Sequence, residues 1–138
     1  MNATYSTFIA AIAGITVSGV TRKYTEPPAS INTADLPCSF PMLPSGEMQT
    51  IVFGNGATVG GQLPTWTCDM VYAFEPVGQG TQAQNFGGLV TLMDAVVTAS
   101  QALTRPTAGP MTFSLRAGIV SVAGNDYWSI IETWTGVG

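Results

Sequence analysis

Five of the chain's nine prolines, Pro27, Pro28, Pro37, Pro41 and Pro44, fall in one stretch, RKYTEPPASINTADLPCSFPMLP (22–44). Each removes a backbone donor and pushes the residue before it toward extended conformations, so this stretch can form neither a helix nor a regular central strand. Its middle, ASINTADLP, has room for one turn, and PCSFPML reads as an edge strand, where prolines are tolerated. A loop already stiffened by Pro27, Pro28 and Pro37 loses less conformational entropy on docking, so it can reach over a neighbour at reduced cost. Tyr24, Ile31, Leu36 and Phe40 would then serve as apolar anchors. The segment reads as an interaction surface rather than a catalytic loop.

The rest of the chain arranges itself around that segment. Tyr5, Phe8, Ile9 and Ile12 lie at i, i+3, i+4 and i+7, which predicts an amphipathic helix over 4–13 ended by Gly14. ITVSGVTRKY is β-rich, and its alternation slips by one at Ser18-Gly19, which predicts a bulge in a strand. EMQTIVF is a strand, GNGATVGGQLP a hairpin-like loop with Asn55-Gly56 as its turn, and TWTCDMVYAFEP the clearest strand of all. In that last stretch Trp66, Cys68, Met70, Tyr72 and Phe74 alternate with a mixed set, as in a half-buried antiparallel strand. A long helix is expected over 82–103, with a stripe of Phe86, Leu89, Val90, Met93, Val96, Val97 and Leu103, and with Gly87 and Gly88 permitting close packing on a sheet. Strands near 111–122 and 127–137 flank a tight AGND hairpin, with Trp128, Ile130 and Trp134 on one face. The expectation is one α+β domain over 1–138: a mainly antiparallel β-sheet with one long helix and a short N-terminal helix packed on one face.

Charge narrows the function. Only 9% of residues are charged while 46% are hydrophobic, so core material is ample and the surface is short of charge. Two readings follow: an obligate oligomer covers part of the surface, or Thr, Ser, Gln and Asn supply its polarity. The net charge of −4 and the four basic residues, Arg22, Lys23, Arg105 and Arg116, disfavour nucleic-acid binding by phosphate neutralisation. They are compatible with an acidic wall past which DNA slides. For Arg22 and Lys23 a strand-end salt bridge is the favoured reading over a phosphate contact. Cys38 and Cys68 have no metal-ligand spacing and the chain has no histidine, so neither a zinc site nor a histidine-based triad is available. Two buried free thiols are favoured over a disulfide. Asp35, Asp94, Asp126 and Glu132 read as scattered, solvated carboxylates, and no nucleophile elbow is present. Neither GNGATVGG nor PVGQGTQAQNFGG has phosphate-loop spacing. The opening MNATYSTFIAAIAGITVSG lacks a basic leader and is broken by Ser6, Thr7 and Gly14, so it reads as neither signal peptide nor membrane span. No cofactor or membrane is expected, and synthesis in the cytoplasm is.

Several stretches together, YTEPPASINTADLPCSFPML, VYAFEPVGQG, LVTLMDAVV and NDYWSIIETWTGV, resemble the tail terminator (tail completion) proteins of tailed bacteriophages over most of the chain. That resemblance implies a virion protein forming a ring, typically of six subunits, at the head-proximal end of the tail. Such a ring stops polymerisation of the tail tube protein, docks the head-side connector or stopper, and lets DNA pass through its channel without sequence-specific binding. It places the loop over 26–37 at a subunit or ring-face contact and the loop over 77–84 at a second. The candidate interface is therefore Arg22, Tyr24, Glu26, Pro27, Pro28, Ile31, Asp35 and Leu36, with Val77, Gln79 and Gln82. A connector, stopper, neck or tube protein of the same particle is the nearest alternative. A small Asp/Ser hydrolase and a carbohydrate-binding module using Tyr127, Trp128 and Trp134 beside Asp126 are the others.

Overall fold

A computed structural model describes residues 4–52, 60–79, 82–104 and 110–137. Helix α1 spans Tyr5–Ala13. Its start is fixed by a capping box: the Thr4 hydroxyl accepts from the Thr7 backbone N–H at 3.3 Å, and the Thr7 hydroxyl accepts from that of Thr4 at 2.8 Å. Phe8 and Ile12 point into the core, Phe8 stacked on Trp66 with ring centroids 6.1 Å apart. The expected strand after α1 is not one strand with a bulge. Ile15 and Val17 are buried without a strand partner, and the chain then reverses at Ser18-Gly19, where Gly19 has φ of +90°. Only β1 (Arg22–Lys23) remains as strand. The slip in alternation marked a turn.

The sheet is built around β4 (Gly60–Pro76). On one side β4 pairs antiparallel with β2 (Cys38–Pro41) and β3 (Ser45–Val52), which lie end to end. On its other side lies β6 (Asn125–Val137), followed by β5 (Met111–Val122). β1 adds to β2 in parallel, giving the order β1-β2-β4-β6-β5 with β3 also on β4. β2 is thus not an edge strand throughout: β1 covers Cys38 and Ser39, and all four β2 residues are buried. Pro37 and Pro41 are tolerated because one precedes the strand and the other ends it, beyond the reach of the two-residue β1. Residues 60–64, expected in a loop, belong to β4, while the Asn55-Gly56 turn signal lies outside the described residues. The alternation of β4 holds to Ala73 and then shifts register before Glu75. β5 and β6 meet at a two-residue turn, Ala123 (φ +53°) and Gly124 (φ +80°), so Asn125 and Asp126 are strand rather than turn.

Both helices cover one face of this sheet. There Phe8, Ile12, Trp66, Met70, Tyr72, Leu89, Val96, Ile130 and Trp134 form the main core. Helix α2 (Gln82–Gln101) buries Asn85, Leu89, Leu92, Val96 and Ser100, a narrower stripe than its apolar residues predict. Phe86 and Val90 are 66% and 41% exposed, because the helix packs chiefly on β6 and does not reach across β5. Gly88 provides the expected close approach: a methyl group there would meet the Phe74 ring tip at 2.5 Å, whereas Gly87 faces open space. The opposite face carries a smaller core of Cys38, Phe40, Val71, Ala73 and Tyr127, against which Tyr24, Ile31 and Leu36 pack. This second layer makes the centre of β4 buried on both faces.

Within the main core one carboxylate is fully buried. Glu132 accepts from Ser100 Oγ at 2.6 Å, Trp134 Nε1 at 2.7 Å and Tyr72 Oη at 3.5 Å. It is a structural group, not one of the solvated carboxylates the scatter of acids predicts. Burial pushes its pKa up, against the pull of those three donors. Among the described residues no helix is long and apolar enough to cross a membrane.

Candidate interaction surface

The proline-rich segment leaves the sheet after β1, loops out, and returns as β2. Its base is clasped by backbone bonds: the N–H of Thr21 donates to the Pro37 carbonyl and that of Tyr24 to the Ser39 carbonyl, both at 2.7 Å. The Thr21 hydroxyl donates to the Leu36 carbonyl at 3.3 Å. Within the loop, Asn32 Oδ1 accepts from the Ala34 N–H at 3.0 Å and starts a single 3-10 turn, Thr33–Asp35. The Leu36-Pro37 peptide bond is cis. Five prolines do not leave this stretch formless; it is a closed loop with its two ends side by side.

The 3-10 turn aims Asp35 back at β1. Arg22 Nη1 lies 3.1 Å from Asp35 Oδ2, the only ion pair among the described residues. The same guanidinium sits 4.5 Å from the centroid of the Tyr24 ring, and Tyr24 Oη donates to Asp35 Oδ2 at 3.4 Å. The strand-end salt bridge expected for Arg22 is therefore made within the chain. The salt bridge expected for Lys23 is not made among the described residues; its Nζ donates to Thr16 Oγ1 at 2.9 Å instead. Partial burial raises the Tyr24 pKa, opposed by the Arg22 charge.

Around this cluster the surface is concave. Arg22, Tyr24, Glu26, Pro27, Pro28 and Asp35 line an open hollow of about 710 Å³. A second, of about 640 Å³, lies between Ile31, Thr33, the 3-10 turn Val77–Gln79 and the β5–β6 turn with Asn125, Asp126 and Tyr127. A smaller one of about 230 Å³ includes Leu36, Pro37, Glu75 and Pro76. The two segments expected to make contacts thus border one hollow at one end of the sheet, Ile31 and Thr33 on one side and Val77 on the other.

Four expected residues sit differently. Phe40 is only 1% exposed and belongs to the second core, so it is no anchor for a partner. Ile31 and Leu36 are partly buried on that same core, so some of their apolar area is already covered by the chain itself. Gln82 begins α2 and lines a separate apolar groove with Phe86, Leu89, Val90, Met93, Ala117, Gly118 and Trp128. The side chain of Gln79 lies outside the described residues. Asn125 and Asp126, the latter accepting from Ser121 Oγ, also line the second hollow and are absent from the expected interface, because the AGND pattern reads as a turn. Sequence reasoning also missed the groove; the available signal was a helix with more apolar positions than one stripe can hold.

The surface offers shape, one tied ion pair and exposed backbone, which suit protein contact. Cys38, beneath it, is held by burial with its pKa pushed up to about 11, and the same holds for Cys68, so neither thiol is poised as a nucleophile. Both are free, on opposite faces of the sheet. Among the described residues no group of His, Cys, Asp and Glu is arranged to hold a metal ion. Neither the models of known protein families nor the curated proteins contain a match to this chain.

Proposed function

We propose that this chain is a structural, non-catalytic virion subunit: a ring protein at the head-proximal end of a phage tail tube that halts tube polymerisation and joins the tail to the head-side connector. The reading rests on the resemblance of the proline-rich, VYAFEPVGQG and C-terminal hairpin stretches to tail terminators. One structural observation supports it: the loop over 26–37 and the turn at Val77–Gln79, two expected contact segments distant in sequence, border the same hollow at one end of the sheet. A pre-ordered loop on a rigid sheet end presents a face at low entropic cost, as a docking ring needs. The sparse, net negative charge suits a channel through which DNA slides without sticking.

The test is to add purified protein to tail tube subunits polymerising in vitro and to measure tube lengths by negative-stain microscopy. Tubes should stop lengthening and carry one extra ring at one end. Unchanged length distributions with bare ends would refute the terminator role, and filaments of the protein alone would favour the tube-protein reading.

A further inference from the structure

The sheet has two long backbone edges with no strand beside them among the described residues. One is the outer edge of β5, Met111–Val122. The other is the outer edge of β2 and β3 from Phe40 to Val52, since β1 covers only Cys38 and Ser39. Exposed edges are normally blunted by charge or proline. β5 holds no proline and one charged residue, Arg116; the lane from Phe40 to Val52 holds one charged residue, Glu47, and its two prolines, Pro41 and Pro44, stand at its β2 end and leave β3 itself without any. Arg116 and Glu47 are both exposed, and among the described residues neither is in an ion pair.

Their placement is complementary. Glu47 lies opposite Thr65, while Arg116 lies opposite Ile131, itself opposite Val71. Thr65 and Val71 share a face of β4, so Glu47 and Arg116 project from the same face of the sheet, the one away from the helices. Within one copy β3 and β5 run in opposite directions, because three antiparallel steps separate them. A ring rotation that brings one copy's β3 beside its neighbour's β5 keeps the pair antiparallel.

We propose that β5 of one copy pairs antiparallel with the β2–β3 edge of a second copy, with Arg116 against the neighbour's Glu47, and that this contact closes the ring. It rests on the ring reading only in requiring a second copy. In this register Met111 falls opposite Val52, and β5 ends beside Phe40, just short of the position occupied by β1. Ile119, 51% exposed, comes level with Met42 and Leu43, which are 39% and 85% exposed and sit where three residues of the lane span two of β4. The two edges differ, so the contact is head-to-tail and can close into a ring. The stagger needed is the six-residue offset between Thr65 and Val71, about 20 Å of strand, across four lanes of about 4.8 Å each. That corresponds to strands tilted about 45° from the ring axis, the upper end of the range in closed barrels.

Charge reversal tests the pairing. Glu47→Arg and Arg116→Glu should each raise the concentration at which the protein assembles at least about tenfold in sedimentation velocity, and the double variant should return it to within about threefold of wild type. Melting temperatures identify any variant that fails to fold. As a second measurement, Glu47→Cys protein mixed with Arg116→Cys protein should form a cross-linked dimer under mild oxidation. A wild-type protein that stays monomeric at all concentrations, folded single variants that assemble normally, a double variant without recovery, or absence of the cross-link would overturn the contact. Wild-type protein that caps tubes while the single variants cap equally well would sink the contact and leave the terminator role standing. Charge-swap rescue of rings that do not affect tube growth would do the reverse.

Discussion

Glu132 places a carboxylate inside an apolar core with three donors and, among the described residues, no cation beside it. Tyr72, the one other titratable group touching it, is pushed up by burial and stays neutral. Burial raises the Glu132 pKa in the fold above its unfolded value, so the folded state binds the proton more tightly. Its stabilising effect is complete below the unfolded pKa and is lost as pH rises through the folded one. Urea denaturation should therefore show Glu132→Gln gaining on wild type as pH rises above the ordinary carboxylate range of about 4. Equal pH dependence of the two proteins would mean that the carboxylate is not the responsible group. The period-two pattern of β6 already places Glu132 between Ile130 and Trp134 on the apolar face, unlike Glu26 or Glu75, but its partner was not legible, because Ser100 lies 32 residues away on another element.

At the scale of the element, α2 shows how two adjacent glycines can differ. Gly87 faces open space, so Gly87→Ala should gain about 0.5–1 kcal/mol from helix propensity alone. At Gly88 the added methyl would press on Phe74, and overpacking of about 1–3 kcal/mol outweighs the same gain, so Gly88→Ala should lower the melting temperature where Gly87→Ala raises it. A Gly88→Ala protein as stable as Gly87→Ala would show that Phe74 moves aside freely. The pattern rules located α1, β3, β4, α2, β5 and β6 from periodicity, since each is long enough for its period to show. They failed between Ile15 and Tyr24, where buried apolar residues pack without a strand partner, and on α2, where Phe86 and Val90 extend the apolar stripe onto an uncovered side. Periodicity records which side chains are apolar, and only the neighbouring elements decide which of them are covered.

At the scale of the whole molecule, the sheet is a septum between a thick layer under two helices and a thin layer under the proline-rich loop. That this segment forms a loop was legible in its prolines, but its attachment was not: the Arg22–Tyr24–Asp35 cluster and the packing of Ile31 and Leu36 depend on the loop folding back onto the face of its own sheet. The sequence also gives no sign that Gln82 lies apart from the other residues expected at the interface, because a helix start can face any direction. Ile31→Ala and Leu36→Ala should each cost the monomer about 1–2 kcal/mol, since these side chains are only partly buried. The two thiols allow that loss to be assigned to one layer. Cys38 lies in the thin layer and Cys68 in the thick one, each buried and unreactive while its layer is closed. A thiol-trapping reagent thus reads the opening of each layer separately, with no label to be introduced. In the Leu36→Ala protein Cys38 should be trapped about tenfold faster and Cys68 at its wild-type rate, and equal acceleration of both would show the molecule opening as one unit. The chain carries its own pair of clocks, one on each side of the wall.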